Sequence, residues 1–205
     1  MYIAIIDYGM GNISSVENSF IRAGSVIRVT SDPAVIKGSN AVILPGVGAY
    51  SDASNNLERR GLAEVIRRVV CEKPFLGICL GMQLLFDYSM EDGKNRGLGI
   101  LKGSVQKIPA GVKVPHMGWN QIEIKMEESR LLSGIEDGEY FYFVHSYHSV
   151  PDDPSIISST TEYGKELVAS VEKDNIFGLQ FHPEKSSSRG QVLLKNFISL
   201  AEGTL

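Results

Sequence analysis

Cysteine is nearly absent: the chain carries Cys71 and Cys79 and no others. Such a pair makes no disulfide framework, and a reducing, cytoplasmic setting is the expectation. No apolar run approaches the roughly 18 residues that a membrane-spanning helix needs. The N-terminal stretch MYIAIIDYGMGN has no basic leading region and carries Asp7 early, so it does not read as a secretion signal. Basic residues do not exceed acidic ones: Lys and Arg total 20 against 24 Asp and Glu, for a net charge of −4. That balance offers no electrostatic footprint for nucleic acid or an anionic membrane. There is no internal repeat and no low-complexity tract.

What is present is an ordinary globular composition, 43% hydrophobic and 21% charged over 205 residues. A chain of this length buries roughly 70% of its unfolded surface and needs no staple to fold. In the first half, short apolar runs (Tyr2–Asp7, Val26–Thr30, Ala41–Leu44, Phe75–Cys79) alternate with helical patterns over Ile13–Ala23, Leu57–Val70 and from Leu80 toward Asp87. Continuous apolar strands separated by helices imply a parallel sheet covered on both faces. In the second half the strand signals follow one another, over Gly99–Ile108, Asn120–Ile124, Glu139–His145, Ile156–Thr161, Leu167–Glu172 and Ile176–Phe181, and a helix over Ser187–Ala201 closes the chain. The polar stretch MEDGKNRG (90–97) reads as a surface loop. The expectation is one α/β domain over residues 1–205, flavodoxin-like, with a mostly parallel central sheet flanked by helices and an added antiparallel portion in the second half.

The stretch GICLG (77–81) is the cysteine form of a nucleophile elbow, a tight strand-to-helix turn between glycines. Free cysteine is also among the most buried residue types, so a core role for Cys79 competes with that reading. The segment LQFHPEKS (179–186) shifts the balance. On an extended path, His182 and Glu184 point to one side. Glu184 would then orient His182, and His182 would deprotonate Cys79, the base-and-orienter arrangement of a triad. An oxyanion beside the sulfur would take one N–H from Leu80 and another from around Val47 in LPGVGAY (44–50). Cys71 has neither a glycine turn nor a paired base and reads as structural. His145 and His148, three residues apart, would fall on opposite faces of one strand, so no metal site is expected.

The elbow GICLGMQ (77–83), the FHPE end (181–184) and the PGVG loop (45–48) together resemble the class I glutamine amidotransferases. DYGMGN (7–12), PHMGWN (115–120), YFVHSY (142–147) and FHPEKS (181–186) narrow the resemblance to the glutaminase subunits of imidazole glycerol phosphate synthases, in histidine biosynthesis. The resemblance implies a Cys79–His182–Glu184 triad that hydrolyses L-glutamine through a thioester, with no cofactor. It implies glutamine contacts from Gly48, Gln83, His145, Ser146 and Tyr147. It also implies that Met10, Gly11, Asn12, Met117, Trp119 and Lys185 face a (β/α)8-barrel cyclase subunit in a heterodimer. That partner would join the ammonia to PRFAR, giving imidazole glycerol phosphate and AICAR. The rival readings are a glutaminase subunit of another amidotransferase, a stand-alone cysteine hydrolase, and a catalytically dead regulator of the same fold.

Overall fold

The computed structural model describes residues Met1–Leu205. The first half supplies strands β1 (Ile3–Ile6), β2 (Ile27–Thr30), β3 (Ala41–Gly46) and β4 (Phe75–Cys79). Helices α1 (Ile13–Arg22), α2 (Pro33–Lys37), α3 (Tyr50–Arg59) and α4 (Leu62–Val69) lie between them, and the single turn α5 (Leu80–Gln83) follows β4. Then come β5 (Phe86–Ser89), β6 (Asn95–Arg96), β7 (Leu101–Lys107), β8 (His116–Gln121), β9 (Glu123–Ile124), β10 (Tyr140–His145) and β11 (Tyr147–Pro151). Strands β12 (Ile157–Glu162), β13 (Glu166–Lys173) and β14 (Ile176–Leu179) precede the closing helix α6 (Ser187–Glu202).

The central sheet runs β2-β1-β3-β4-β14-β13-β12-β9. From β2 to β14 the neighbours are parallel, and from β14 onward they are antiparallel. The expected mixed α/β sheet is therefore present. A smaller sheet, β11-β7-β5-β6, and a ribbon, β10-β8, lie outside it. Alternation explains how apolar strands serve two cores. In β3, Val42 and Leu44 join one buried cluster with α3 and α4, while Ala41 and Ile43 join the other with α1 and α6.

Several local expectations change. The helix read over Leu57–Val70 is two helices, because Gly61 takes a left-handed φ of 67° and breaks the path. The helix after Cys79 stops at Gln83, since Phe86 pairs with Leu101 and begins the second sheet. The tract 90–97 is tied down: β6 pairs with β5, and Asn95 Nδ2 donates to the Glu91 carbonyl at 2.6 Å. Sequence reading passed over α2, β5, β6 and β11.

The elbow depends on bare backbone. A Cβ on Gly81 would collide with the Leu44 carbonyl oxygen, and one on Gly77 would meet the Gly81 carbonyl oxygen at 2.7 Å. Strand β4 and the turn after it are thus packed against β3 with no room for a methyl group. Gly81→Ala should lower stability by about 3 kcal/mol or more through overpacking, read as the loss of denaturation midpoint. A midpoint equal to the wild type's would remove this packing argument.

Candidate active site

Three parallel neighbours in the sheet, β3, β4 and β14, end side by side. At their carboxyl ends lie the PGVG loop, Cys79 and His182. Ligands in open parallel sheets bind outside these strand ends. Cys79 is the last residue of β4 and adopts φ 54°, ψ −111°, a conformation few non-glycine residues adopt. It lines a cleft of about 350 Å³ together with Val47, Gly48, Leu80, Gln83, His145, Ser146 and Tyr147, among others. All seven residues read from the sequence as oxyanion or glutamine contacts therefore meet around Cys79.

His182 follows β14 and is held by its own N–H, which donates to the Tyr142 carbonyl at 2.9 Å. Glu184 sits on a 3₁₀ turn, Pro183–Lys185, rather than on an extended strand. The turn still places Glu184 Oε1 2.8 Å from His182 Nδ1, with both side chains almost wholly buried. His182 Nε2 and Glu184 Oε2 complete no hydrogen bond of their own. Burial alone would push the His182 imidazole down. The Cys79 sulfur facing the ring and the hydrogen-bonded Glu184 carboxylate overcome it and hold the pKa up at about 10. His182 thus rests as a proton donor facing sulfur, with Glu184 fixing the other nitrogen. An imidazolium there stabilises a thiolate. The short α5 contributes little dipole, so the charge comes from His182.

The remaining histidines are different. His145 Nδ1 lies 2.9 Å from the Tyr147 carbonyl and Nε2 lies 2.9 Å from His116 Nδ1. A carbonyl only accepts, so His145 carries its proton on Nδ1 and His116 donates to it. Burial pushes His145 down to about 3 and His116 down to about 4. Both are neutral, and His145 lines the cleft. His148 lies on β11, the strand after His145, so the pair does not share one strand as the sequence reading assumed.

The residues read as partner contacts form two groups. Met117 and Trp119 are 62% and 50% exposed on the β8 face of the ribbon. Trp119 packs edge-on to Tyr142, and Lys185 Nζ lies over the same ring at 5.7 Å. Met10, Gly11 and Asn12 instead lie under the PGVG loop. A Cβ on Gly48, at φ 102°, would meet Met10 Cε at 2.9 Å, and one on Gly11 would sit 3.7 Å from the Pro45 carbonyl oxygen. Asn12 shares a small cavity with Val47, His182 and Glu184. Cys71 is exposed at the end of α4 and lines nothing in this site.

Two functional candidates went unread in the sequence. Glu91 lines the cleft, and its Oε2 accepts from the Tyr50 N–H at 3.0 Å. Its only sequence signal was a charge in a polar tract. Gln180 is fully buried, with its amide nitrogen 3.7 Å from the Cys79 sulfur. Its signal was a polar residue inside an apolar run.

Residues 4–200 match the family model described as glutamine amidotransferase class-I. The imidazole glycerol phosphate synthase subunit HisH of Moorella thermoacetica is 53% identical over 95% of this chain and 93% of its own length. The HisH subunit of Aquifex aeolicus is 50% identical over 98% of each chain. A solved glutamine amidotransferase shares the fold at a TM-score of 0.77 and 18% identity, over 98% of this chain and all of that one. A chain of PurLQS from Thermotoga maritima also superposes at 0.77, with 19% identity over 97% of each. The chain belongs to the class I glutamine amidotransferase family, among the HisH subunits of imidazole glycerol phosphate synthase.

Proposed function

We propose that the chain hydrolyses L-glutamine as the glutaminase subunit of an imidazole glycerol phosphate synthase, through Cys79, His182 and Glu184. The observation that carries the chemistry is the buried His182–Glu184 pair at 2.8 Å beside Cys79, which lines a cleft. The high identity to HisH subunits supports the assignment of the reaction.

The thiolate of Cys79 attacks Cδ of the substrate amide. The amide oxygen takes the negative charge, with the backbone N–H groups of Leu80 and Val47 as its donors. His182 gives its proton to the leaving nitrogen, the C–N bond breaks, and ammonia departs from a γ-glutamyl thioester. His182 then takes a proton from water, which attacks the thioester and releases glutamate and the thiolate. Glu184 holds the ring in place and offsets the imidazolium charge. Ammonia that picked up a proton from bulk water would lose its nucleophilicity, so a closed path to an acceptor site is required. The acceptor is the (β/α)8-barrel cyclase subunit, seated on the faces that carry Met117, Trp119 and Lys185 and the segment Met10–Asn12. That segment packs under the PGVG loop and gives the partner mechanical access to the oxyanion site.

Free glutamine is a zwitterion, and its α-ammonium needs an anion. Glu91 is the carboxylate among the residues lining the cleft. Burial raises its pKa, against the Tyr50 N–H that lowers it, and a bound ammonium would favour the ionised form. Gln83 spends its amide hydrogens on the Tyr147 carbonyl and on Gln180 Oε1, both at 2.9 Å. It therefore offers the substrate an oxygen, an acceptor that also suits the ammonium. Gly48, Ser146 and Tyr147 contribute the wall, and Ser146 and Tyr147 backbone N–H groups suit the α-carboxylate.

Cys79→Ala should abolish glutamine hydrolysis while the two-subunit complex still uses added ammonium salts. His182→Ala should cost several orders of magnitude in turnover, and Glu184→Gln less, because shape is kept and charge is lost. Retained glutamine turnover in Cys79→Ala would sink the assignment. Glu91→Gln should raise KM for glutamine about tenfold to a hundredfold with a smaller change in kcat; an unchanged KM would exclude Glu91 from the ammonium site. A pH test follows from His182, whose pKa rises on folding from 6.5 to about 10. The bound proton stabilises the folded state fully below pH 6.5, and the gain is lost as pH climbs through about 10. The stability advantage of the wild type over His182→Gln, from denaturant titrations across that range, should shrink with rising pH. An advantage that grows would show that the ring is neutral in the folded chain.

A further inference from the structure

The triad leaves one polar group at the sulfur unused. Gln180 follows β14, two residues before His182, and its side chain is completely shielded from solvent. Its backbone N–H continues the sheet by donating to the Ala169 carbonyl at 2.8 Å. Its side-chain Oε1 accepts from Gln83 Nε2 at 2.9 Å, and its Nε2 donates to Cys79 Sγ at 3.7 Å.

The direction of that last contact is fixed at a distance. The Tyr147 carbonyl can only accept, so the nitrogen end of Gln83 faces it. The second hydrogen on that nitrogen then finds Gln180 Oε1. A flipped Gln180 would set two NH₂ groups against each other and turn a carbonyl oxygen toward the sulfur. His145 Nδ1–H donates to the same Tyr147 carbonyl, so two hydrogen bonds hold it in place. The line runs from Tyr147 through Gln83 and Gln180 to Cys79.

The surroundings of the sulfur make this donor useful. Sγ also lies 3.9 Å from the Val144 carbonyl on β10, a contact that suits a thiol and repels a thiolate. Among titratable groups, His182 faces it from the end of β14, backed by Glu184, and the Tyr8 hydroxyl approaches from beyond β1. Tyr8 is neutral, with burial and then the Cys79 charge both raising its pKa, and its hydroxyl is spent on the Pro45 carbonyl at 3.0 Å. His145 is neutral, and Glu91 lines the same cleft. Gln180 is thus the side chain that donates a hydrogen bond to the sulfur, and His182 is the cation that faces it.

We propose that Gln180 is a catalytic residue that donates its side-chain N–H to the Cys79 sulfur and stabilises the thiolate, its orientation set by Gln83 and the Tyr147 carbonyl. This rests on Cys79 being the nucleophile. With Gln180 in place, loss of the thiol proton gives up the S–H contact to Val144 while the N–H contact to sulfur remains and gains the anion's charge. A hydrogen bond to an ionised group carries enough energy to change the thiolate population about tenfold or more.

The test is the pH profile of Cys79 alkylation by iodoacetamide in the full chain, resolved by peptide mass so that exposed Cys71 serves as internal control. Gln180→Leu should move the Cys79 midpoint upward and slow labelling below it about tenfold. Gln180→Glu, which replaces the N–H by a charged oxygen, should move it further. Labelling of Cys71 should not change. In the wild-type chain, the Gln180 side-chain amide resonances should titrate with the Cys79 midpoint and stop titrating in Cys79→Ala. That readout decides the matter even where the Gln180 variants fail to fold. An unmoved alkylation midpoint in folded Gln180→Leu, or amide resonances indifferent to Cys79, would overturn the role of Gln180. Iodoacetamide needs no glutamine site, so failure of the nucleophile reading shows separately, as glutaminase activity that survives Cys79→Ala.

Discussion

The active site hangs on one backbone conformation, that of Cys79 at φ 54°, ψ −111°. An L-residue in such a region costs on the order of 1–3 kcal/mol and persists only where the surroundings over-determine it. Here the surroundings are glycines. Gly77 and Gly81 flank the turn, and Gly46 faces it from β3, where a Cβ would lie 2.8 Å from the Gly81 nitrogen. Without side chains at these points, β3 and β4 close on the turn and the apolar clusters behind them lock it. Cys79 is then held at the end of β4, at the edge of a buried cluster and on the cleft wall, and the PGVG loop, at the end of the neighbouring strand, is brought beside it. The parallel pairing of β14 with β4 adds the third side, because any residue just past Leu179 must emerge next to Cys79.

This dependence explains what was legible in the sequence and what was not. The elbow and the FHPE end are local patterns whose geometry follows from adjacent residues, and the structure brings them together. Even there, the local path differs: Glu184 reaches His182 from a 3₁₀ turn and not along a strand. The length of the helix after Cys79 was not local information. The apolar run Leu84–Phe86 suits a helix or a strand, and pairing with β7, more than ten residues later, decides for strand. Glu91 could not be found from its neighbours, since its role comes from the Tyr50 N–H, 41 positions away in the chain. Gln180 is read only through Gln83, 97 positions away. The helix break at Gly61 was a signal of the local kind, but the apolar periodicity on both sides masked it.

Four histidines make the comparison that separates chemistry from packing. His116, His145, His148 and His182 are all at most 6% exposed, so burial acts on each in the same direction, against the charged form. For the first three it prevails: their pKa values fall to about 4, about 3 and about 4. His116 and His145 satisfy one another and His148 stands without a ring partner, so none of them faces an anion. Only His182 has a carboxylate on one nitrogen and a sulfur facing the other, and only its pKa rises. Burial by itself would make His182 a fourth neutral ring. The Cys79 sulfur and the Glu184 carboxylate, one on each side, convert the same ring into a cation. Removing two opposite charges from solvent together, rather than one alone, is what makes a charged imidazole tolerable at this depth. The neutral His145, held by His116 behind it, completes the arrangement, because a second cation on the cleft wall would compete with His182 for the sulfur and repel the substrate's ammonium.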